Sequence, residues 1–342
     1  MKIRRRIAAA AVCLIVLLAA GSTQKEYDAA SGAIDNVYNV EHYAYRTTRR
    51  LHKNTIRLKD CDYQFCENVQ IPGMPATIED DFLNHYIFSR SQCPQGICLS
   101  DEYIMVTSYS TEDDCLGELL IFDRTSGEFL VTLGMDPNSH LGGIAFDGKN
   151  VWVCNSYTRS IERISYDFIQ MMAESNKGGV IDATDVVDIF RVENTPSCIT
   201  CYGGRLWIAT HTKYFDSKAV AYYYDPDQEK LKTLGKYRIP SQVQGITFGD
   251  DGKVYLSTSY GRKNSSYLKV YQSIISLSTK PKKPVLQVEM PPGSEELDYQ
   301  DDCLFVIFES AGLKYYEGTD GKGTSNAPLD KILQIQAESL RR

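Results

Sequence analysis

Residues 243–258 read Val243-Gln244-Gly245-Ile246-Thr247-Phe248, then Gly249-Asp250-Asp251-Gly252-Lys253, then Val254-Tyr255-Leu256-Ser257-Thr258. Two runs rich in Val, Ile, Tyr and Phe enclose an Asp-Gly turn, the pattern of an antiparallel hairpin. One hairpin does not specify a fold, but its recurrence does. The same two-part unit occurs as Gln95-Gly96-Ile97 with Ile104-Met105-Val106, Gly142-Gly143-Ile144 with Val151-Trp152-Val153, Ser197-Cys198-Ile199 with Leu206-Trp207-Ile208, and Glu295-Glu296-Leu297 with Leu304-Phe305-Val306. In each unit the aliphatic anchor precedes the second run by seven or eight residues. Turn residues fill the interval, as in Asp147-Gly148-Lys149-Asn150 and Gly203-Gly204.

The anchors Ile97, Ile144, Ile199, Ile246 and Leu297 recur at about 50 residues, the length of a four-stranded propeller blade. Third strands are predicted at 118–122, 161–166 and 219–224, and fourth strands at 128–133, 186–192 and 285–290. The chain is therefore expected to be all-β, a single β-propeller of about five four-stranded blades around a central channel. The last repeat has only three strands of its own, ending at 331–335. A strand from the N-terminal part, at 68–71, is expected to complete it and remove the free edge. The stretch 27–90 is less regular and leaves room for a degenerate sixth blade, and a short helix is expected at 167–174.

Three segments follow: a signal peptide at 1–21, an N-terminal extension carrying the ring-closing strand at 22–92, and the propeller at 93–342. The leader consists of a basic start (Lys2, Arg4, Arg5, Arg6), an uncharged run from Ile7 to Ala20, and the small residues Ala19-Ala20-Gly21-Ser22. It predicts an exported chain, secreted or cell-envelope associated, that meets a membrane only if the leader stays uncleaved as an anchor. With 37 Lys and Arg against 44 Asp and Glu the net charge is −7, and removing the leader makes it more negative. Nucleic acid is excluded as a main partner on that ground, and a monomer is expected. Of the 10 cysteines, the close pairs Cys61 with Cys66 and Cys93 with Cys98 are candidate disulfides in an oxidising compartment.

In a propeller the loops entering each innermost strand share a face with those leaving each second strand. Aligning the repeats places Gln95, His140, Cys198, Gln244, Glu295 and Glu296 in the first set. The second set holds Ser108 and Tyr109, Asn155, Thr210 and His211, Ser259 with Tyr260 and Arg262, and Glu309 with Ser310. A repeat kept only for architecture would hold one small residue there, so this variety marks a polar pocket. Gln95, Asn155, Gln244, Tyr260 and Arg262 are its candidate ligand-binding residues, for a small molecule, peptide or glycan. Glu309, His211 and His140 are its candidate acid–base groups. Glu295 and Glu296, with Glu309 and Asn155, offer oxygen ligands to a divalent cation such as calcium, which would activate water on an ester or lactone. Cys198 with His211 is a nucleophile pair on spacing alone, and Cys201 nearby makes core packing or a disulfide the alternative.

Val243-Gln244-Gly245-Ile246, with Ser257-Thr258-Ser259-Tyr260-Gly261-Arg262 and Ser265-Ser266, resembles the pattern of plant-type glutaminyl-peptide cyclotransferases, which are propellers, and Glu309-Ser310-Ala311-Gly312 resembles their Glu-Ser-x-Gly element. The resemblance implies that Glu309 protonates departing ammonia as an N-terminal glutamine closes, with Gln244 or Arg262 orienting the substrate. Leu256 stands where that pattern has a glutamate. Over about residues 93–335 the repeats are also similar to secreted propellers of the calcium-dependent phosphotriesterase, lactonase and NHL-repeat type. Three functions are therefore expected in order: ligand binding at the polar channel face, a metal-dependent hydrolase or lactonase on that face, and cyclotransferase-like acyl transfer.

Overall fold

The computed structural model describes residues 58–59, 61–66, 68–69, 77–78, 86–87, 92–111, 116–175, 179–310 and 312–341. The leader and most of the extension lie outside them.

Strand β1 (Tyr63–Phe65) and the two-residue strands β2 (Thr77–Ile78) and β3 (Tyr86–Ile87) precede the repeats. Blade one is β4 (Gln92–Leu99), β5 (Tyr103–Ser110), β6 (Gly117–Asp123) and β7 (Phe129–Met135). Blade two is β8 (Ile144–Phe146), β9 (Asn150–Asn155), β10 (Ser160–Ser165) and β12 (Asp188–Arg191). Between β10 and β12 the chain inserts helix α1 (Tyr166–Ser175) and strand β11 (Gly179–Asp182), which crosses back to pair in parallel with β7, giving blade one a fifth strand. Blade three is β13 (Cys198–Tyr202), β14 (Arg205–Ala209), β15 (Ser217–Asp225) and β16 (Lys230–Ile239). Blade four is β17 (Val243–Phe248), β18 (Val254–Thr258), β19 (Ser266–Tyr271) and β20 (Leu286–Met290), with helix α2 (Ile274–Thr279) inserted before β20. Blade five is β21 (Ser294–Gln300), β22 (Cys303–Phe308) and β23 (Leu333–Gln336), and β1 completes it. A one-turn helix, α3 (Leu313–Tyr316), lies in the long connection from β22 to β23.

The innermost strands touch in the order β4, β8, β13, β17, β21 and back to β4, so the ring closes with five blades and the sixth-blade alternative is not met. The closing strand begins five residues earlier than expected. Tyr63 to Phe65 pair with Ile335 to Leu333, while Asn68 and Val69, the described part of the expected strand, lie beyond the ladder. Both segments alternate apolar and polar residues, so periodicity alone does not choose between them. Val69 is instead fully buried between blades five and one.

Residues on the two faces of each sheet feed the two interfaces that the blade makes, and five apolar clusters result, one per interface. All five anchors, Ile97, Ile144, Ile199, Ile246 and Leu297, are buried in them. So are Met105, Trp152, Trp207, Tyr255 and Phe305 at the centre of each second strand. The first hairpins of blades two and four close on Asp147 and Asp251, which accept backbone N–H groups of their own turn; Asp147 also accepts the Trp152 indole N–H at 2.7 Å.

No disulfide joins any two of the described cysteines. Cys93 and Cys98 lie five residues apart along one extended strand, and Cys61 and Cys66 flank β1, separations of about 16 Å that a bridge cannot span. The expected local pairs are thus corrected. Cys198 is fully buried in the core between blades three and four, and burial pushes its thiol well up, which removes the nucleophile reading.

Candidate functional site

Three innermost strands carry a bulge at the same place. In β4 the register slips between Pro94 and Gly96, in β17 between Val243 and Gly245, and in β21 between Ser294 and Leu297. The residues without a cross-strand partner are Gln95, Gln244 and the pair Glu295-Glu296. A bulge re-aims the extra side chain out of the strand's alternation. Here the three bulges deliver two amides and two carboxyl groups to the channel.

Glu296 fills the channel itself. Its Oε2 accepts the backbone N–H of Ile97 at 3.2 Å and of Ile144 at 2.7 Å, and its Oε1 accepts that of Ile199 at 3.0 Å. One carboxyl thereby ties the anchors of three blades together. Gly96 and Gly143 make room for it: a Cβ on Gly96 would lie 2.9 Å from its Oε2, and one on Gly143 2.6 Å from its Oε1. Burial pushes the Glu296 carboxyl up, and the three N–H donors pull in the opposite direction. Below it, Asp298 accepts the N–H of Leu99 at 2.9 Å beside a 190 Å³ cavity at the opposite end of the channel, and burial raises it to about 6.

Glu295 and Glu309 meet at the mouth. Their side chains are hydrogen-bonded to one another, so the pair shares a proton, and burial first, then the Glu309 charge, push Glu295 well up. Burial also raises Glu309, while Tyr315, the Lys314 charge, Gln95 and Glu295 oppose that rise. The Gln244 amide donates to Glu295 Oε1 at 3.0 Å, and the Gln95 amide to Glu309 Oε2 at 3.3 Å. His211 extends the chain of contacts, with Nδ1 3.3 Å from the Val243 carbonyl and its ring bonded to Gln244; burial lowers its imidazole.

Helix α3 supplies the other wall. The Tyr315 hydroxyl bonds Glu309, and the Lys314 ammonium sits 2.6 Å from the Tyr109 hydroxyl. Tyr109 stacks on His140 with ring centres 4.0 Å apart, which leaves His140 at the exposed rim. Packing against the Tyr109 ring removes part of the His140 hydration, and this, with the Lys314 and His211 charges, lowers its imidazole. Lys314 and Tyr315 carry no repeat signal, because the connection from β22 to β23 has no counterpart in other blades. The only cue is their place directly after Glu309-Ser310-Ala311-Gly312.

Gln95, Gln244, Glu295, Glu309 and His211 are therefore brought together. Arg262 stands one layer out, ion-paired with Asp320 and lying 4.6 Å over the Tyr315 ring, so it positions that tyrosine. Tyr260 turns outward beneath the Lys213 ammonium and lines a 640 Å³ cleft on blade four. Asn155 belongs to blade two, where its amide donates to Glu162 at 2.7 Å and Asp136 at 3.0 Å. Of the residues expected to hold a cation, Glu295 and Glu309 are bonded to one another, Glu296 serves backbone donors, and the Asn155 amide is engaged by Glu162 and Asp136. Among the described residues no group of three or more His, Cys, Asp or Glu side chains is gathered as a metal site.

No family model matches the chain, and no curated protein is similar to it. Solved structures with a similar outline include a glutaminyl cyclase of Myxococcus xanthus, with 8% identity and TM-score 0.43 over 72% of this chain and 90% of that one. A nidogen/laminin complex matches with 14% identity and TM-score 0.38 over 66% and 75%. A hydrazine synthase of Kuenenia stuttgartiensis matches with 10% identity and TM-score 0.38 over 63% of this chain, which spans 55% of that one.

Proposed function

We propose that this propeller binds a small amide-bearing ligand, a peptide N-terminus foremost, at the Glu295–Glu309 mouth and performs acid–base chemistry on it, and that the leader at 1–21 exports it. The observation that carries this reading is the hydrogen-bonded carboxyl pair, flanked by Gln95 and Gln244 and facing Lys314 and Tyr315. Two carboxyl groups that share one proton offer an acid and a base at once. With an N-terminal glutaminyl peptide, Glu309 takes a proton from the α-ammonium group, and the freed amine attacks the γ-amide carbon. The attacking nitrogen sheds its second proton, and as the C–N bond to the amide nitrogen breaks that nitrogen receives both this proton and the one the pair took from the ammonium group, and leaves as ammonium. Gln95 and Gln244 orient the pair, and Tyr315 fixes Glu309.

The test is release of ammonia and formation of pyroglutamyl product from a glutaminyl dipeptide amide. Glu309→Gln is expected to lower the rate at least about 100-fold, the scale of one acid–base group, and Tyr315→Phe less. Dipeptide binding without turnover in the unaltered chain would reduce the reading to a binding module. Absence of both would overturn it.

A further inference from the structure

Blade two, like blade four, carries an insertion before its fourth strand, and here the insertion builds a second cavity. It sends β11 back onto blade one and places Asp182, Thr184 and Val187 opposite Met135 and Glu162. The space between is about 350 Å³, within the usual range for small-ligand pockets. Its apolar wall includes Met135, Pro137, Val187 and Ile189, and Ile189 is 65% exposed at the rim. Its polar wall is made of Asp136, Glu162 and Asp182, and no positively charged side chain is among the described residues that line it.

Glu162 is the informative group. It is 2% exposed, its Oε1 accepts the Asn155 amide, and its Oε2 is buried with no hydrogen-bond partner. A buried acceptor left unsatisfied costs about 1–3 kcal/mol, more for a charged group. A ligand that supplies an N–H donor recovers that cost, and one that also brings positive charge balances the Glu162 carboxylate. An aliphatic stem suits the apolar wall. We propose that this cavity is a binding site for an alkylammonium group, at the end of a short aliphatic chain, with Glu162 as its principal acceptor. The ligand is either a free aliphatic amine or a lysine side chain of a peptide. The site is separate from the Glu295–Glu309 mouth.

Titration calorimetry of the full chain with n-butylammonium tests it, with 1-butanol as the neutral control and tetramethylammonium as the cation lacking an N–H donor. Saturable binding of n-butylammonium alone is expected. Glu162→Gln should weaken it at least about tenfold, as loss of one charged hydrogen bond implies. Ile189→Arg, at an exposed position, should block it by placing a guanidinium over the cavity, and Glu309→Gln should leave it unchanged. N-acetyl-lysine methylamide binding as tightly as n-butylammonium supports the site and assigns a peptide lysine; its exclusion while n-butylammonium binds supports the site and assigns a free amine. No saturable binding, equal binding of 1-butanol, or undiminished binding in both Glu162→Gln and Ile189→Arg would overturn the proposal.

Discussion

Glu296 shows how much one side chain can hold in this architecture. A propeller has no strand-to-strand hydrogen bonds between blades, so donors left at the channel by the innermost strands need another acceptor. Glu296 accepts from three of them across blades one, two and three. In Glu296→Gln one end of the amide becomes a donor, so at least one backbone N–H faces an N–H. The expected loss is about 1–3 kcal/mol, read from denaturant unfolding, and Glu296→Ala should lose more; an unchanged midpoint in both would show that the channel carboxyl is dispensable. At the mouth, the Glu295–Glu309 proton gives a pH prediction of opposite character. Burial raises both groups, so the singly protonated pair persists above the ordinary carboxylate range and is lost as pH rises through its second ionisation. Turnover of a glutaminyl dipeptide should fall along that limb, and Glu295→Gln, which has no proton to lose there, should flatten it.

At the scale of elements, the bulges and the glycines beside them form one device. The bulge turns Gln95, Gln244 and Glu295 into the channel, and Gly96, Gly143 and Gly245 let the strands approach the centre closely. A Cβ on Gly143 would lie 2.6 Å from the Cys198 Cα, a backbone contact that no side-chain rotation relieves. Gly143→Ala is therefore expected to destabilise the fold by about 1–3 kcal/mol, measured by thermal unfolding. The closing strand β1 works at the same scale. Without it β23 presents unpaired backbone groups, and such an edge recruits other chains. A chain beginning at Asn68 should self-associate with rising concentration in light scattering where the full chain does not; equal behaviour of the two would mean that closure is not what protects this edge.

Across the whole molecule the buried acids act together. Burial pushes Glu162 and Asp298 up to about 6 from ordinary values of 4.5 and 3.8, and moves Glu118, Glu295 and Glu296 up as well. These five groups bind more protons in the folded chain than in the unfolded one above about pH 4, so their contribution falls as pH rises and outweighs the opposite contribution of the lowered His140 and His211 imidazoles. The contribution is complete below the unfolded values and is lost as pH passes through about 6. Asp225, Glu193 and Asp320 shift downward, but they are paired with Lys232, Lys236 and Arg262 at the surface, where such pairs contribute little. The unfolding midpoint should be higher at pH 5 than at pH 7.5, with the slope reduced in a Glu162→Gln, Asp298→Asn double variant. A midpoint that rises with pH would contradict this balance.

The repeat determined the architecture by itself, because a blade is a local unit: its anchor, its turn and its second strand lie within about 15 residues, and identical solutions recur in sequence. The set Gln95, Gln244, Glu295 and Glu309 was legible for the same reason, since repeat-equivalent positions converge on one channel. What the sequence left open depends on contacts between distant segments. Asn155 and Tyr260 occupy the right repeat positions yet turn to Asp136 and Glu162, and to Lys213, because the partners nearest in space decide a side chain's direction. Lys314 and Tyr315 lie in a connection unique to blade five, and β11 crosses from one blade to another, so neither leaves a periodic trace. The upward shift of the Glu295–Glu309 pair and the central role of Glu296 arise only when five strands meet and water is displaced, for a pKa reflects surroundings in space and not order along the chain.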